Sequence, residues 1–578
     1  MTTHRPLPAA IAIAAPLLAA AASHAVTLDG IRFQDRNATG RTTLGAFRGS
    51  LAVIDFDNDG FMDLAIADVP NRPKRLFHNQ PDPTNPAERT FVDRSIGSGL
   101  DDADSLSRGH GSVIVADIDN DGFQDLYFQG HAPDGSSGLL YRNNAGNGTF
   151  TNISIPAGVR VTGETQDSAS FTDFDHDGYV DLFICNFIGP RTYRLFRNNG
   201  NLTFTSRPDL IPALPAAQRI YGNTWADFDA DGWDDLFVIG SAVPSLLRST
   251  GTGPARSLVD VAQTVGFTLL GPAPMGISAG DIDNDGDMDL SITDALIGTY
   301  YENRAGVMVR TTPFTTIFGW GTTWIDADND GLLDNYQAGS WGRPELDRLH
   351  RNLGGAPGSL TWRDISAALN HTSQASQYCV QLDFNNDGRQ DIVTVNPNNS
   401  VNIYENLSET SNRWLTVKVV GNATPGGTGT INRDAVGARV RVLSDGTWRT
   451  RAVQSGSSTA STEDLRAHFG LGPTDSIERI EIDWPVPADR GNGGRGTRTS
   501  VYPGPFAANS FITLTPRCTG DLNADAVVNT ADLVRVLSRF GVATAPGAPI
   551  ADADLNADGR TDTSDLLFML SVFARACP

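Results

Sequence analysis

Carboxylates recur along this chain at alternate positions, the spacing that lets a short loop surround a hard cation. Asp55, Asp57, Asp59 and Asp63 lie in the nonapeptide DFDNDGFMD. The order D-x-D-x-D-G-x-x-D returns with Asp117, Asp119, Asp121 and Asp125, with Asp173, Asp175, Asp177 and Asp181, and with Asp227, Asp229, Asp231 and Asp235. It continues with Asp281, Asp283, Asp285 and Asp289, with Asp326, Asp328, Asp330 and Asp334, and with Asp383, Asn385, Asp387 and Asp391. Asn385 is the single departure, and it is still an oxygen donor. Side chains at positions one, three and five converge on one side of a tight loop. Glycine at six permits the turn, position seven offers its carbonyl, and Asp at nine closes the shell. Oxygen donors in that number suit Ca²⁺ better than Mg²⁺, which demands a smaller octahedral cage. Four aspartates in nine residues repel one another unless a cation lies between them, so a set of acidic turns that bind nothing is the weaker reading.

A second spacing closes the chain. Asp521, Asn523, Asp525, Asn529 and Asp532, and then Asp554, Asn556, Asp558, Asp562 and Asp565, occupy positions one, three, five, nine and twelve of two twelve-residue loops. Each runs into an apolar stretch that reads as a helix. This is EF-hand loop spacing with Asp in place of Glu at position twelve. Ala526 stands where the first loop wants glycine, and a left-handed alanine costs about 1 kcal/mol. The first loop is therefore expected to hold calcium more weakly than the second.

Strings that resemble enzyme motifs carry little. Gly276-Ile-Ser278-Ala-Gly280 fits G-x-S-x-G but sits in a strand feeding a carboxylate loop, whereas a nucleophile elbow needs a strand-to-helix turn. Gly491-x-Gly493-x-x-Gly496 lies in an Arg/Gly-rich loop with no following helix. No catalytic residue is assigned. Trp225, Trp233, Trp320, Trp324 and Trp341 are expected mainly to fill cores. The alternative is that they stack on sugar rings at a loop-bearing surface.

The elements that must position the first loops are short strands. Apolar runs such as Leu51–Ile54 precede a loop and others such as Leu64–Ala67 follow it. A third run steps into asparagine (Leu139 to Asn143, Leu195 to Asn198, Ile403 to Asn406), and a fourth follows Gly-rich punctuation. The unit repeats seven times at a mean spacing of about 55 residues. Four strands per unit describe a mainly β fold, a seven-bladed β-propeller. The last unit lacks an outer strand. Ile31–Asp35, which is similar to Arg89–Asp93, is expected to supply it and so latch the ring.

The 578 residues carry 44 Lys+Arg against 67 Asp+Glu, a net charge of −23. That argues against nucleic acid as a partner and against attachment to anionic lipid through basic patches. Arg5, the apolar run Ala9 to Ala22 and Ser23-His24-Ala25 read as a signal peptide over residues 1–25. No later run approaches the length of a membrane span, so a secreted, extracellular or cell-surface protein is expected.

The seven loops with their flanking strands resemble the FG-GAP/VCBS repeats of calcium-loop propellers related to the integrin α head. The resemblance covers residues 26–408 and implies about seven Ca²⁺ ions, one between the first two strands of each blade. From 409 to 516 the runs Trp414–Val420, Asn432–Val442, Gln454–Gly456, His468–Gly472 and Ile477–Pro485 resemble an ASPIC/UnbV domain, which follows such propellers in the cartilage acidic protein family. Ser458-Thr459, where an aromatic is expected, departs from that pattern. The paired loops of 517–578 resemble a dockerin, which implies up to two more Ca²⁺ and a cohesin-type scaffold partner met by Thr530, Ala531, Thr563 and Ser564. Cys518 and Cys577 bracket this module and are expected to pair once exported; Cys185 and Cys379 are expected to be buried thiols. The reading is a secreted, calcium-binding, non-catalytic recognition or adhesion protein whose dockerin-like tail tethers it, with polysaccharide or extracellular matrix as the ligand. The alternative is a carbohydrate-active enzyme, a lyase or hydrolase, delivered to polysaccharide by its tail.

Overall fold

The computed structural model describes residues 27–572 except 37–43, 45–48, 110, 133, 163–164, 189–192, 213–219, 242–243, 252–255, 269–270, 272, 296–297, 312–318, 340–345, 371–375, 397–399, 428, 488–495, 518–519, 521, 523–527, 543–552 and 554–559. The expected leader, Trp341, Cys518, Cys577, Ala526 and the expected ligand positions Asp521, Asn523, Asp525, Asp554, Asn556 and Asp558 therefore lie outside the described residues.

Short β-branched and aromatic runs separated by Gly- and Asn-rich turns make strands, and these pair with their sequence neighbours into propeller-like blades. Six sheets follow one another along the chain, beginning with Leu51–Ile54, Asp63–Ile66, Arg75–Pro81 and Arg89–Asp93. The second is enlarged, because Val161–Thr162 and Phe150–Asn152 both pair with Ser136–Asn143. A seventh is assembled from both ends of the region. Tyr378–Leu382, Asp391–Val395 and Val401–Asn406 are completed by Phe33–Asp35, with Phe33 opposite Asn406 and Asp35 opposite Tyr404. The N-terminal strand thus takes the outer place that the sequence left open. Inner strands touch in cyclic order, and the first (Leu51–Ile54) packs against both Val113–Ala116 and Tyr378–Leu382.

Apolar clusters lie between neighbouring sheets. Leu51, Val53 and Leu64 of the first pack on Val380, Leu382 and Val393 of the seventh. Cys185 and Cys379 are both buried thiols, in the third and seventh sheets.

Beyond the blades, Arg413–Val419, Ala467–Gly472 and Ser510–Leu514 form one sheet. Arg439–Ser444, Thr447–Ala452, Ser476–Pro485 and Thr497–Ala507 form another. Leu415, Val440, Phe469, Ile480 and Trp484 share the core between them. Two helices, Thr530–Arg539 and Thr563–Val572, follow and touch each other.

This second β unit sits on the loop-bearing side of the blades and reaches between them. The segment from Gln454 to Asp464 bonds to the inner strand of every sheet, in the sixth through Thr322 N, which donates to Ser458 Oγ at 3.1 Å. Thr462 O accepts from Val53 N at 2.9 Å, Ala460 O from Val113 N at 3.2 Å, and Ser455 O from Phe171 N at 2.9 Å. Gln454 Nε2 donates to Trp225 O at 2.6 Å. Ser458 O accepts from Ile277 N at 3.0 Å and Asp464 N donates to Gln381 O at 3.5 Å. Thr459 Oγ1 donates to Trp320 O at 2.6 Å. Ser457 and Ser461 pair across the tip, so the segment is a tight hairpin filling the central channel. Gly456, with φ 108°, has its α-carbon against Ala169 and Ser170, where a β-carbon would approach Ala169 O to 2.7 Å. Small hydroxyl side chains, rather than the expected aromatic, match a channel walled by backbone donors and acceptors.

Candidate metal centres

Each nonapeptide forms the hairpin loop between the first and second strands of its sheet. In the first sheet Ile54 faces Asp63 across the ladder, so Asp55 leaves one strand and Asp63 opens the next. Position four is left-handed in all seven loops (Asn58, Asn120, His176, Ala230, Asn284, Asn329 and Asn386, with φ between 53° and 61°), as is the glycine at six. Asparagine tolerates that conformation better than most residues. These two turns curl the loop so that carboxylates one, three and nine converge. Oxygens of Asp55/Asp57/Asp63, Asp117/Asp119/Asp125, Asp173/Asp175/Asp181 and Asp227/Asp229/Asp235 each lie within 4.8 Å of one another.

The ninth carboxylate has a second task. Asp63 Oδ1 accepts from Asn79 N at 2.7 Å and Oδ2 from Phe56 N at 3.3 Å. The same pair of bonds recurs at Asp125, Asp181, Asp235, Asp289, Asp334 and Asp391. Position nine therefore ties the loop to its own third strand whether or not a cation is held.

Two hydrogen-bond relays link neighbouring sheets, and neither was read from the sequence. Nδ2 of the position-four asparagine donates to the loop-glycine carbonyl of the next sheet: Asn58 to Gly122 at 2.8 Å, Asn120 to Gly178 at 2.9 Å, Asn329 to Gly388 at 2.9 Å and Asn386 back to Gly60 at 2.9 Å. An asparagine at or near the end of the third strand donates to the second loop residue of the preceding sheet. Examples are Asn143 to Phe56 O at 2.8 Å and Asn79 to Phe384 O at 2.7 Å. The recurring asparagines at both places were the available signal. At the boundary of the third and fourth sheets the relay residues are His176 and Ser249 instead. There His176 stacks on Trp233 at 4.0 Å with Nδ1 2.7 Å from Gly496 O, and the Arg256 guanidinium covers Trp233 at 3.4 Å.

The loops are poorly provided for as bare carboxylates. Asp55 Oδ1, Asp173 Oδ1, Asp175 Oδ1 and Asp281 Oδ1 are buried without a hydrogen-bond partner. Burial pushes the carboxyls of Asp227, Asp281 and Asp383 up to about 7. Burial, followed by the neighbouring Asp434, pushes Asp117 up to about 8. Desolvation holds Asp63, Asp125 and Asp289 well above the usual carboxylate range. A divalent cation would supply the missing partners, and the all-oxygen donor set fits Ca²⁺.

The second β unit covers the loops, so they do not form the open platform considered above. Lys418 Nζ lies 3.5 Å from Asp55 Oδ2, and Asp434 Oδ2 accepts from Asp117 N at 2.7 Å. Gly496 N donates to Asp231 O, Arg439 Nη1 to Gly286 O and Arg466 Nη1 to Asn386 Oδ1. His468 Nε2 is 2.8 Å from Asn329 Oδ1. Trp225, Trp233 and Trp324 are buried, as the core-filling expectation had it. Ser278 is buried in the strand Pro274–Gly280, its carbonyl accepting from Trp324 Nε1.

In the C-terminal region the structure places the expected ligands Asn529, Asp532, Asp562 and Asp565 at or just before helix starts. Asn529 caps Thr530–Arg539 in a capping box with Asp532, whose Oδ1 accepts from Leu522 N at 2.6 Å. Asp565 Oδ2 accepts from Asp562 N at 2.8 Å. Thr530, Ala531, Thr563 and Ser564 are exposed on the first turns.

Comparison with known proteins agrees with this layout. Residues 55–128, 117–184, 173–238 and 227–292 match the FG-GAP-like repeat model, residues 427–515 match ASPIC and UnbV, and residues 519–571 match the dockerin type I domain. Cartilage acidic protein 1 of mouse is 29% identical over 179 residues, which are 30% of this chain and 26% of that protein. The human protein is 29% identical over 183 residues, 30% and 25% of the two chains. The match thus spans about a quarter of those relatives. Among solved structures, an Agrocybe aegerita lectin that recognises non-reducing terminal N-acetylglucosamine overlaps 57% of this chain and 82% of its own, at TM-score 0.37 and 17% identity. YCF48 bound to a D1 peptide overlaps 67% and 99%, at TM-score 0.38 and 9% identity. Among the described residues no helix is long and apolar enough to cross a membrane. FG-GAP and dockerin domains generally bind calcium, and type I dockerins bind cohesins. FG-GAP-like repeats, an ASPIC/UnbV match and a type I dockerin match thus occur in one chain, and FG-GAP and dockerin domains are typical of extracellular proteins.

Proposed function

We propose that this is a secreted, non-catalytic recognition or adhesion protein in which calcium stiffens a seven-bladed propeller and the C-terminal module tethers it to a cohesin-bearing scaffold. In this reading residues 1–25 are a leader, 26–408 the propeller, 409–516 the β domain and 517–578 the dockerin, stapled by Cys518–Cys577. Each of the seven loops holds one Ca²⁺ through the side-chain oxygens of positions one, three, five and nine, and the tail holds up to two more. The observation that carries the calcium assignment is the set of buried, unpartnered carboxylate oxygens in the loops. The absence of catalysis is supported by how the acidic groups are used: they tie hairpins and face a covering domain rather than an open cleft. Polysaccharide or matrix then meets surfaces other than the loop face and the channel.

The test incubates the full-length chain with a panel of polysaccharides and matrix polymers in millimolar calcium. Retention in a pull-down without new reducing or unsaturated ends is the expected result. Calcium-dependent release of such ends would overturn the reading and make the protein a carbohydrate-active enzyme.

A further inference from the structure

The seven loops differ in what lies beside them. In each third strand the residue before the one whose N–H bonds the ninth carboxylate lies beside positions three and five, and in five sheets it is a base that contacts one or both of them. His78 Nε2 is 3.2 Å from Asp57. Arg142 contacts Asp119 at 2.6 Å and Asp121 at 2.8 Å, and Arg197 contacts Asp175 and Asp177, both at 2.6 Å. Arg248 pairs with Asp229, and Arg351 with Asp328 and Asp330. In the seventh sheet the position is Glu405, engaged by Arg36 at 3.1 Å, while Arg389 covers Asp387. In the first loop Arg89 Nη2 also lies 3.7 Å from Asp59, so each of these six loops has a guanidinium beside the carboxylates at positions three or five.

The fifth loop is the exception at positions three and five: among the described residues no ion pair engages Asp283 or Asp285. Its corresponding residue is Glu302, 1% exposed, with Oε2 on Arg304 at 2.9 Å and Oε1 buried without a partner. Asn303, the next residue, donates its N–H to Asp289 Oδ1 at 2.7 Å, which sets Glu302 in the register that Arg142 and Arg351 occupy in their own sheets. The loop itself adds Asp287 between Asp285 and Asp289. The cations that face it come from the covering domain: Arg439 at Gly286 O, and Arg451 near Asp281.

We infer that the fifth loop is the tightest calcium site and the first to fill, with Glu302 as an additional carboxylate ligand beside Asp281, Asp283, Asp285 and Asp289. The inference rests on the calcium reading above. Its physical basis is that affinity for a hard cation rises with the number of uncompensated carboxylates around it, whereas a guanidinium on two of them works against the ion.

Calorimetric titration of the metal-stripped full-length chain with Ca²⁺ tests it. The wild type should show one tightest ion. Glu302→Gln, which keeps the shape and removes the charge, should weaken that ion by about tenfold and leave the other classes in place. Arg142→Glu, which copies the fifth-sheet arrangement into the second, should add an ion to the tight class. A tightest class unchanged in Glu302→Gln overturns the inference and leaves the calcium reading intact. Should Glu302→Gln fail to fold, an Arg142→Glu chain with no gain in the tight class overturns it instead. A wild type that takes up no Ca²⁺ overturns both.

Discussion

Within one loop the aspartates divide into those that only face the ion and those that also hold the hairpin together. Asp57 is partly exposed and bonds locally to Asp59 N, whereas Asp63 is fully buried and accepts from two backbone amides, one in the loop and one on the third strand. Asp63→Ala should therefore cost about 2–4 kcal/mol with or without metal, since it leaves two buried N–H groups unsatisfied. Asp57→Asn should lower the melting temperature in calcium and leave it unchanged in chelator. Differential scanning calorimetry of both variants in the two buffers separates the roles. The first role was legible in the spacing of the carboxylates. The second was not, because it depends on an amide about sixteen residues downstream that only the folded sheet brings back. The left-handed turn at position four was in principle readable from its recurring asparagine.

At the scale of the element, the strand Phe33–Asp35 decides whether the blades have an open end. Phe33 is fully buried against the sixth and seventh sheets, in a cluster with Ile325, Tyr336 and Tyr404. Phe33→Ala should cost about 3–5 kcal/mol, read as a fall in the denaturant midpoint. Deleting residues 27–36 should leave Val401–Asn406 as an unprotected edge and drive self-association in light scattering. This element was readable from sequence because its pattern copies the outer strand of another unit. The hairpin from Gln454 to Asp464 was not. Its hydroxyl-rich composition is that of a surface loop, and nothing local says that seven strand edges wait to bond it. Replacing residues 455–461 by a short glycine linker should split one thermal transition into two, as the covering domain comes off a ring that stays folded.

Over the whole molecule, the balance of charge makes stability depend on pH in opposite directions with and without calcium. In the metal-free chain the folded carboxyls of Asp117, Asp227, Asp281 and Asp383 sit at about 7 to 8, above their unfolded values. The folded state then binds more protons than the unfolded one between the ordinary carboxylate range and pH 8, so stability falls as pH rises through that window. With Ca²⁺ held, the same groups are ionised in the fold, and stability is lost instead as pH falls and protons displace the metal. Melting temperatures from pH 5 to 8 in chelator should decline, and those in calcium should climb. A parallel pair of curves would mean that the loops hold no metal at these positions.

The hairpin in the channel also has a topological consequence. Its two ends leave on the same side, into the covering domain, and its tip turns back at Ser458 and Ala460. The ring is closed by contacts between partners as far apart as Arg32 and Ser408, separated by 376 residues, which cannot form until the last strand of the seventh sheet has left the ribosome. The hairpin is made only after that. A chain end pushed through a closed ring would leave a threaded topology of the kind proteins avoid. A doubled loop entering from one face needs no end to pass, so it goes in like a cork. It can be drawn out again without opening a single blade.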